Sequence, residues 1–267
     1  MFDGDLIGFF TAARWKRRLH FTSFDPAKHT LAGAREIALL ALDVGTDGFL
    51  LGGSTGVDKA MVEDYCGVIR AVIDGRFLTG PRPPLVLFPS SAATGVAAMA
   101  DGVLFLSLLN SADVRFLIRE QAKAAPYLPA LDLQPVGCGM ICIEPGGTAA
   151  KVGKADLIRR DDWQTAVGYA AAAAAFGFRV IYLNAGSGSR RPVSTQIVEA
   201  IAQIIKVPLI VGGGLTDAGK VAAVVNAGAD IVITGTAIES NPDVRATLTE
   251  IIDAVHSTSP KDAEEGA

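Results

Sequence analysis

Short apolar runs alternate with segments of helical spacing along almost the whole chain. Eight runs read as strands, at residues 19–24, 48–51, 85–88, 103–109, 139–143, 179–183, 208–211 and 230–234. Their near-continuous apolar character is that of parallel strands covered on both faces. Apolar residues three and four apart predict helices over about 31–42, 57–73, 112–124, 162–176 and 242–255. A first helix is expected over 4–18, ahead of the first strand. Eight βα units in 267 residues predict an α/β fold, a (β/α)8 TIM barrel, in one domain over 1–256. The competing open doubly wound sheet lacks its fingerprint, because no Gly-x-Gly-x-x-Gly follows the first strand. One unit is irregular. Only about a dozen residues, Gly95 among them, separate the third strand from the fourth. A crossover helix barely fits there, so the barrel is expected to be modified, with its third helix missing or reduced. The polar stretch 257–267 is expected to be a flexible tail.

A barrel puts its chemistry at the carboxyl ends of the strands. In order these ends carry Asp25; Ser54 and Thr55; Ser90 and Ser91; Asn110 and Ser111; Glu144; Asn184 and Ser187; Gly213 and Gly214; and Gly235 and Thr236. The last three runs each stop in glycine and hand over to a helix. Such turns bring backbone N–H groups close to an anion, and three in succession predict a phosphate cup. On the other side, Asp25 with the Ser54 and Thr55 hydroxyls can hold Mg²⁺ together with water and phosphate oxygens. Asp25-Pro26 also has the form of a plain turn and helix cap. Lys28 can add a point charge to a diphosphate. Glu144 can orient a substrate hydroxyl or act as base. Asn110 or Ser111 can equally cap the next helix. Small and apolar residues around Val96, Met99 and Ile118 are candidates for a hydrocarbon groove. His20, at the start of the first strand, reads as a structural residue.

Charge and composition narrow the partners. The net charge of −4 gives no global field for nucleic acid. The longest basic cluster, Arg14, Lys16, Arg17 and Arg18 around Trp15, reads as the solvated face of the first helix or as a patch for anionic lipid, a peripheral membrane contact, or for an anionic substrate. Cys66, Cys138 and Cys142 are an odd count without nearby histidine and read as buried apolar residues in a reducing compartment. An acidic start without a basic leader, and no apolar stretch of membrane-span length, make a soluble, cytoplasmic protein the expectation.

Ordered motifs then carry a resemblance. His20-x4-Asp25-Pro26-x-Lys28, Leu51-Gly52-Gly53-Ser54, Phe88-Pro89 and Ser107-Leu108-Leu109-Asn110-Ser111 are four of them. Glu144-Pro145-Gly146-Gly147-Thr148, Tyr182-Leu183-x-Ala185-Gly186-Ser187-Gly188, Val211-Gly212-Gly213-Gly214 and Thr234-Gly235-Thr236 complete the set. Together they resemble the geranylgeranylglyceryl phosphate synthase family, most closely its second group. The resemblance implies a Mg²⁺-dependent prenyltransferase. Its substrates would be a polyprenyl diphosphate and the hydroxyl of sn-glycerol 1-phosphate, and its product the first ether bond of a membrane lipid. It implies Asp25 and Ser54 as Mg²⁺ ligands. It implies Lys28, Tyr182, Leu183, Asn184, Ala185, Gly186, Ser187, Gly188, Gly213, Gly214, Gly235 and Thr236 around the substrates. Asn184, Glu144 and Tyr182 become the catalytic candidates, and a homo-oligomer, dimer or hexamer, is expected.

The chain departs from the family pattern at the acceptor side. Asn184 replaces a Glu expected to hold or deprotonate the acceptor, and an amide cannot take that proton. Ser90, Ala27 and Lys151 also differ, and the pair Arg190-Arg191 follows the phosphate loop. Two other readings therefore stand beside glycerol phosphate prenylation. One is a relative that ionises the prenyl diphosphate and transfers it elsewhere, or quenches it by water or cyclisation. The other is a non-catalytic phosphate-binding barrel.

Overall fold

The computed structural model describes residues 1–235 and 243–259. Its strands are β1 (Leu19–Phe24), β2 (Gly48–Leu51), β3 (Leu85–Leu87), β4 (Gly102–Leu108), β5 (Gln134–Cys142), β6 (Val180–Asn184), β7 (Leu209–Gly212) and β8 (Ile231–Thr234). They pair in chain order, and β8 pairs with β1 in parallel, which closes the barrel. Both strand faces are buried, as the continuous apolar runs require. Phe21, Leu50, Val86, Leu104 and Ile210 fill the interior. Phe24, Phe49 and Leu51 face outward beneath α2 (Leu31–Asp43) and α3 (Lys59–Arg76). Ile181, Leu183 and Val211 do the same beneath α5 (Trp163–Ala175), α6 (Thr195–Ile204) and α7 (Ala218–Ala227).

The amino-terminal end of the barrel is plugged by α1 (Leu6–Trp15). Asp5 caps it by accepting the Gly8 N–H at 2.9 Å. Its Leu6, Phe9 and Phe10 join the interior cluster, and the Phe10 ring stacks on Phe21 at 5.4 Å. Each such ring contributes roughly 2–3 kcal/mol by leaving water. The helix is shorter than the expected 4–18, and the basic cluster is split: Trp15, Lys16 and Arg17 are exposed, but its other two arginines are not. Arg14 and Arg18 are buried and both pair with Asp230 at the foot of β8, while Arg17 pairs with Asp47. Closure of the barrel explains this: it sets the end of α1 against a strand more than two hundred residues away.

The third crossover helix is reduced to a 3₁₀ turn, Ala92–Thr94. This leaves a gap in the wall. β3 pairs with β4 only through Val86↔Gly102 and Leu87↔Val103, yet β4 continues to Leu108. The expected helix over 112–124 is instead a π-helical turn, Arg115–Arg119, running into α4 (Glu120–Ala124). This segment closes over the gap. Gln121 Nε2 donates to the Leu106 carbonyl, and Ser107 Oγ donates to the Leu117 carbonyl at 2.7 Å. β5 begins five residues earlier than the sequence suggests, with Pro135 near its start, where a missing N–H costs no necessary ladder bond. The three cysteines are free and buried, Cys138 and Cys142 both inside the barrel. Burial pushes the Cys66 and Cys142 thiols up to about 12. Among the described residues no helix is long and apolar enough to cross a membrane.

Candidate active site

A cavity of about 470 Å³ opens at the carboxyl ends of the strands. On its first-strand side stand Asp25, Lys28, Ser54 and, beside Ser23, Gly235; on the opposite side stand Ser187, Gly188, Gly213 and Gly214. Tyr182 and Asn184 form part of its floor, and Ser90 and Ser91 also line it. Much of the strand-end ring expected from the sequence therefore converges on one mouth, but Asn110, Ser111 and Glu144 do not join it. Beyond the mouth the cavity runs into the gap between β3 and β4, past Phe88, Val96, Phe105, Leu106, Phe116 and Leu128. It is thus polar at one end and apolar along an arm, and the missing helix is what makes room for the arm.

The glycine cup is built by loops packed on one another. Gly186 has φ +94°, and a methyl group there would sit 2.5 Å from the Gly146 carbonyl carbon. Gly213 has φ +86°, and a methyl group there would sit 2.7 Å from the Gly186 nitrogen and oxygen. The glycines are required by backbone touching backbone, which leaves the polar edges of three loops side by side. Lys28 reaches across to them, its Nζ donating to Ser187 Oγ at 2.8 Å and lying 4.0 Å from Asp25 Oδ2. Asn184 is buried; its Oδ1 accepts the Gly186 N–H at 2.8 Å, and its Nδ2 lies 3.8 Å from Met140 Sδ. The Tyr182 ring lies tilted 5.6 Å from Phe88, and burial raises its phenol far above the usual value, so it stays neutral.

Several expected positions do other work. Leu183 and Ala185 point outward into the helix layer, so only their backbone borders the cup. Glu144 does not line the cavity; its N–H donates to the Ile158 carbonyl, and its charge falls on Arg159. Asn110 neither caps a helix nor meets the cavity. It clasps the end of β5, donating to the Cys142 and Asp156 carbonyls and accepting the Cys142 N–H. Arg190 and Arg191 are exposed and do not line the cavity. Met99 and Ile118 also stand away from the groove. Thr236 lies outside the described residues. His20 is structural, as expected: fully buried, with Nδ1 3.0 Å from Thr46 Oγ1 and Nε2 2.8 Å from Thr234 Oγ1.

The groove wall formed by Phe116, Glu120, Ala124 and Leu128 is new. Its signal was present, since these positions recur every four residues on one helical face.

Asp25 and Ser54 supply one carboxylate and one hydroxyl, and a methyl group at Gly53 would press on Asp25 Oδ1 at 2.5 Å. Among the described residues no three His, Cys, Asp or Glu side chains cluster to hold a metal. That donor set is too small for an ion held by protein alone. It fits Mg²⁺ that arrives with phosphate oxygens, water completing its octahedron.

The sequence pattern of the PcrB family matches residues 11–257. A geranylgeranylglyceryl phosphate synthase of Methanothrix thermoacetophila is 39% identical over 250 residues, 93% of this chain and 94% of the relative. The enzyme of the same name from Picrophilus torridus is 35% identical over 240 residues, 90% of this chain and 95% of the relative. The crystal structure of (S)-3-O-geranylgeranylglyceryl phosphate synthase from Thermoplasma acidophilum, in complex with substrate sn-glycerol-1-phosphate, superposes with a TM-score of 0.87 at 33% identity. That superposition covers 97% of this chain and 100% of the other. With a closed eight-stranded barrel, a cup at its mouth and a match spanning nearly the whole length, the chain belongs to the PcrB family.

Proposed function

We propose that this protein joins a polyprenyl diphosphate, such as geranylgeranyl diphosphate, to the free hydroxyl of sn-glycerol 1-phosphate. The observation that carries the reading is the two-part cavity. Its polar mouth has room for two phosphorylated groups facing each other, and its apolar arm leads away from them through the wall. The names of the relatives, and the glycerol phosphate bound by the Thermoplasma acidophilum enzyme, point the same way.

In this reading the glycerol phosphate lies against the cup of Ser187, Gly188, Gly213, Gly214 and Gly235, with Lys28 between it and the diphosphate. Asp25 and Ser54 hold Mg²⁺, which when bound supplies positive charge to the leaving diphosphate. The C1–oxygen bond to diphosphate breaks, and the glycerol hydroxyl oxygen bonds to C1. The Phe88 and Tyr182 rings face the developing allylic charge, and a neutral phenol suits that position. The attacking oxygen becomes an oxonium, a strong acid that loses its proton to water or to the departing diphosphate. No carboxylate base is needed at position 184. The Asn184 amide orients the acceptor, and Glu144, outside the cavity, is not required as base.

The test is incubation of the full chain with Mg²⁺ and geranylgeranyl diphosphate, with and without sn-glycerol 1-phosphate, products read by mass. An ether-linked prenylglyceryl phosphate formed only with the acceptor is the expected result. Asn184 favours a second reading, in which the same ionisation serves another acceptor or water. Diphosphate release with an alcohol or hydrocarbon product, indifferent to glycerol phosphate, would establish it.

A further inference from the structure

The irregular segment that walls the apolar arm has two dissimilar faces. Inward, Phe116, Gln121 and Leu128 line the cavity. Outward, Val114, Ile118 and Tyr127 are 42%, 58% and 66% exposed. Cations stand among these apolar side chains. Arg115 and Lys123 neutralise the buried Glu120 from outside, yet keep side chains 52% and 65% exposed. Lys154 pairs with Asp113 beside Val114 and is 66% exposed. Arg119 follows Ile118 on the same turn. Residues 113–127 hold three cations and two carboxylates, and both carboxylates are already paired within the protein. The outer face is therefore apolar with a basic surround, the pattern of an element that lies in a lipid headgroup layer.

We propose that this outer face docks the enzyme on an anionic lipid bilayer. Val114, Ile118 and Tyr127 enter the headgroup boundary, and Arg115, Arg119 and Lys123 meet lipid phosphates. The inference rests on the reading that the apolar arm takes a prenyl chain. What selects a bilayer over a protein partner is continuity: one short segment is cavity wall on its inside and an apolar, basic surface on its outside. A chain can then pass between bilayer and cavity along one wall without crossing water. The membrane patch that the sequence suggested around Trp15 is displaced, because Arg14 and Arg18 there are committed to Asp230.

The experiment is flotation of the full chain with vesicles of phosphatidylcholine alone and of equal parts phosphatidylcholine and phosphatidylglycerol. The protein is expected to float with the anionic vesicles and to release as salt rises. The double variant Ile118→Asp, Arg119→Glu is expected to weaken that partition at least about tenfold. Neither residue lines the cavity, so turnover of the soluble donor geranyl diphosphate in vesicle-free buffer stays at the wild-type rate. Arg119→Glu alone supplies a milder change should the double variant fold poorly. Wild-type protein that ignores phosphatidylglycerol, or variants that float as wild type does, would overturn the proposal. So would a change in solution mass of the double variant, which would assign the face to a contact between copies of the chain. Flotation reads the surface without catalysis, so failure of the prenyltransfer reading would show separately in the product assay.

Discussion

The Lys28 ammonium spans the mouth of the barrel and donates to the Ser187 hydroxyl at 2.8 Å. One residue belongs to the loop after the first strand and the other to the loop after the sixth, so a single cation borders both halves of the cavity. Lys28→Met removes a charge-assisted donor worth about 1.5–3 kcal/mol. A fall of roughly 10–100-fold in kcat/KM is expected, seen with both substrates varied in turn. Lys28→Arg should recover only part of it, and an unchanged kcat/KM in the Met variant would remove Lys28 from the site.

Among the described residues, Asp25 is the lone carboxylate at the first-strand side of the cavity. Asp25→Asn keeps the shape and removes the ligand charge. The Mg²⁺ concentration for half-maximal rate should rise at least about tenfold, with kcat down by about a hundredfold. The KM for glycerol phosphate should hardly move, because its cup lies across the mouth. Metal titration of the initial rate decides this.

Asn184→Glu tests whether the acceptor proton needs a base. A general base is commonly worth about 10²–10⁴ in rate. If proton loss from the oxonium is easy, the variant should stay within about tenfold of wild type. A hundredfold rise in glycerol phosphate turnover would mean that the native acceptor is another molecule.

Gly213→Ala tests the packing of the cup. The new methyl meets the Gly186 backbone at 2.7 Å, and the residue must keep a positive φ. The combined strain should cost at least about 2 kcal/mol. That corresponds to a Tm lowered by about 4–8 °C, with a raised KM for the acceptor. An unaltered Tm would mean the loops have slack.

Burial drives the pKa of His20 from 6.5 down to about 4, against the attraction of Asp47 and with some help from His256. The folded protein holds the ring neutral between two threonine hydroxyls, while the unfolded chain protonates it near 6.5. Its folded pKa is depressed, so stability is complete above pH 6.5 and is lost as pH falls toward 4. The loss is of the order of 2–3 kcal/mol. Denaturant unfolding of wild type and His20→Gln across pH 7 to 4 should show a flatter profile in the variant; parallel profiles would place the acid sensitivity elsewhere.

The sequence determined the barrel and most of the polar ring at its mouth. Both depend on local patterns: apolar runs long enough to be covered on two sides, and glycine, serine or aspartate where each run stops. It also disclosed the reduced third helix, because a dozen residues cannot make a crossover. Closure decided the rest. Bringing β8 beside β1 turned Arg14 and Arg18 onto Asp230 and set His20 against Thr234. The same closure left the β3 side of β4 unpaired above Val103 and laid the Phe116–Leu128 face over the opening. Glu144 and Asn184 end neighbouring strands, yet only Asn184 enters the cavity. Which way a side chain leaves a strand end depends on the turn after it and the loops packed against that turn. Periodicity carries the first kind of information because it is written between near neighbours; the second exists only when residues distant in the chain come into contact.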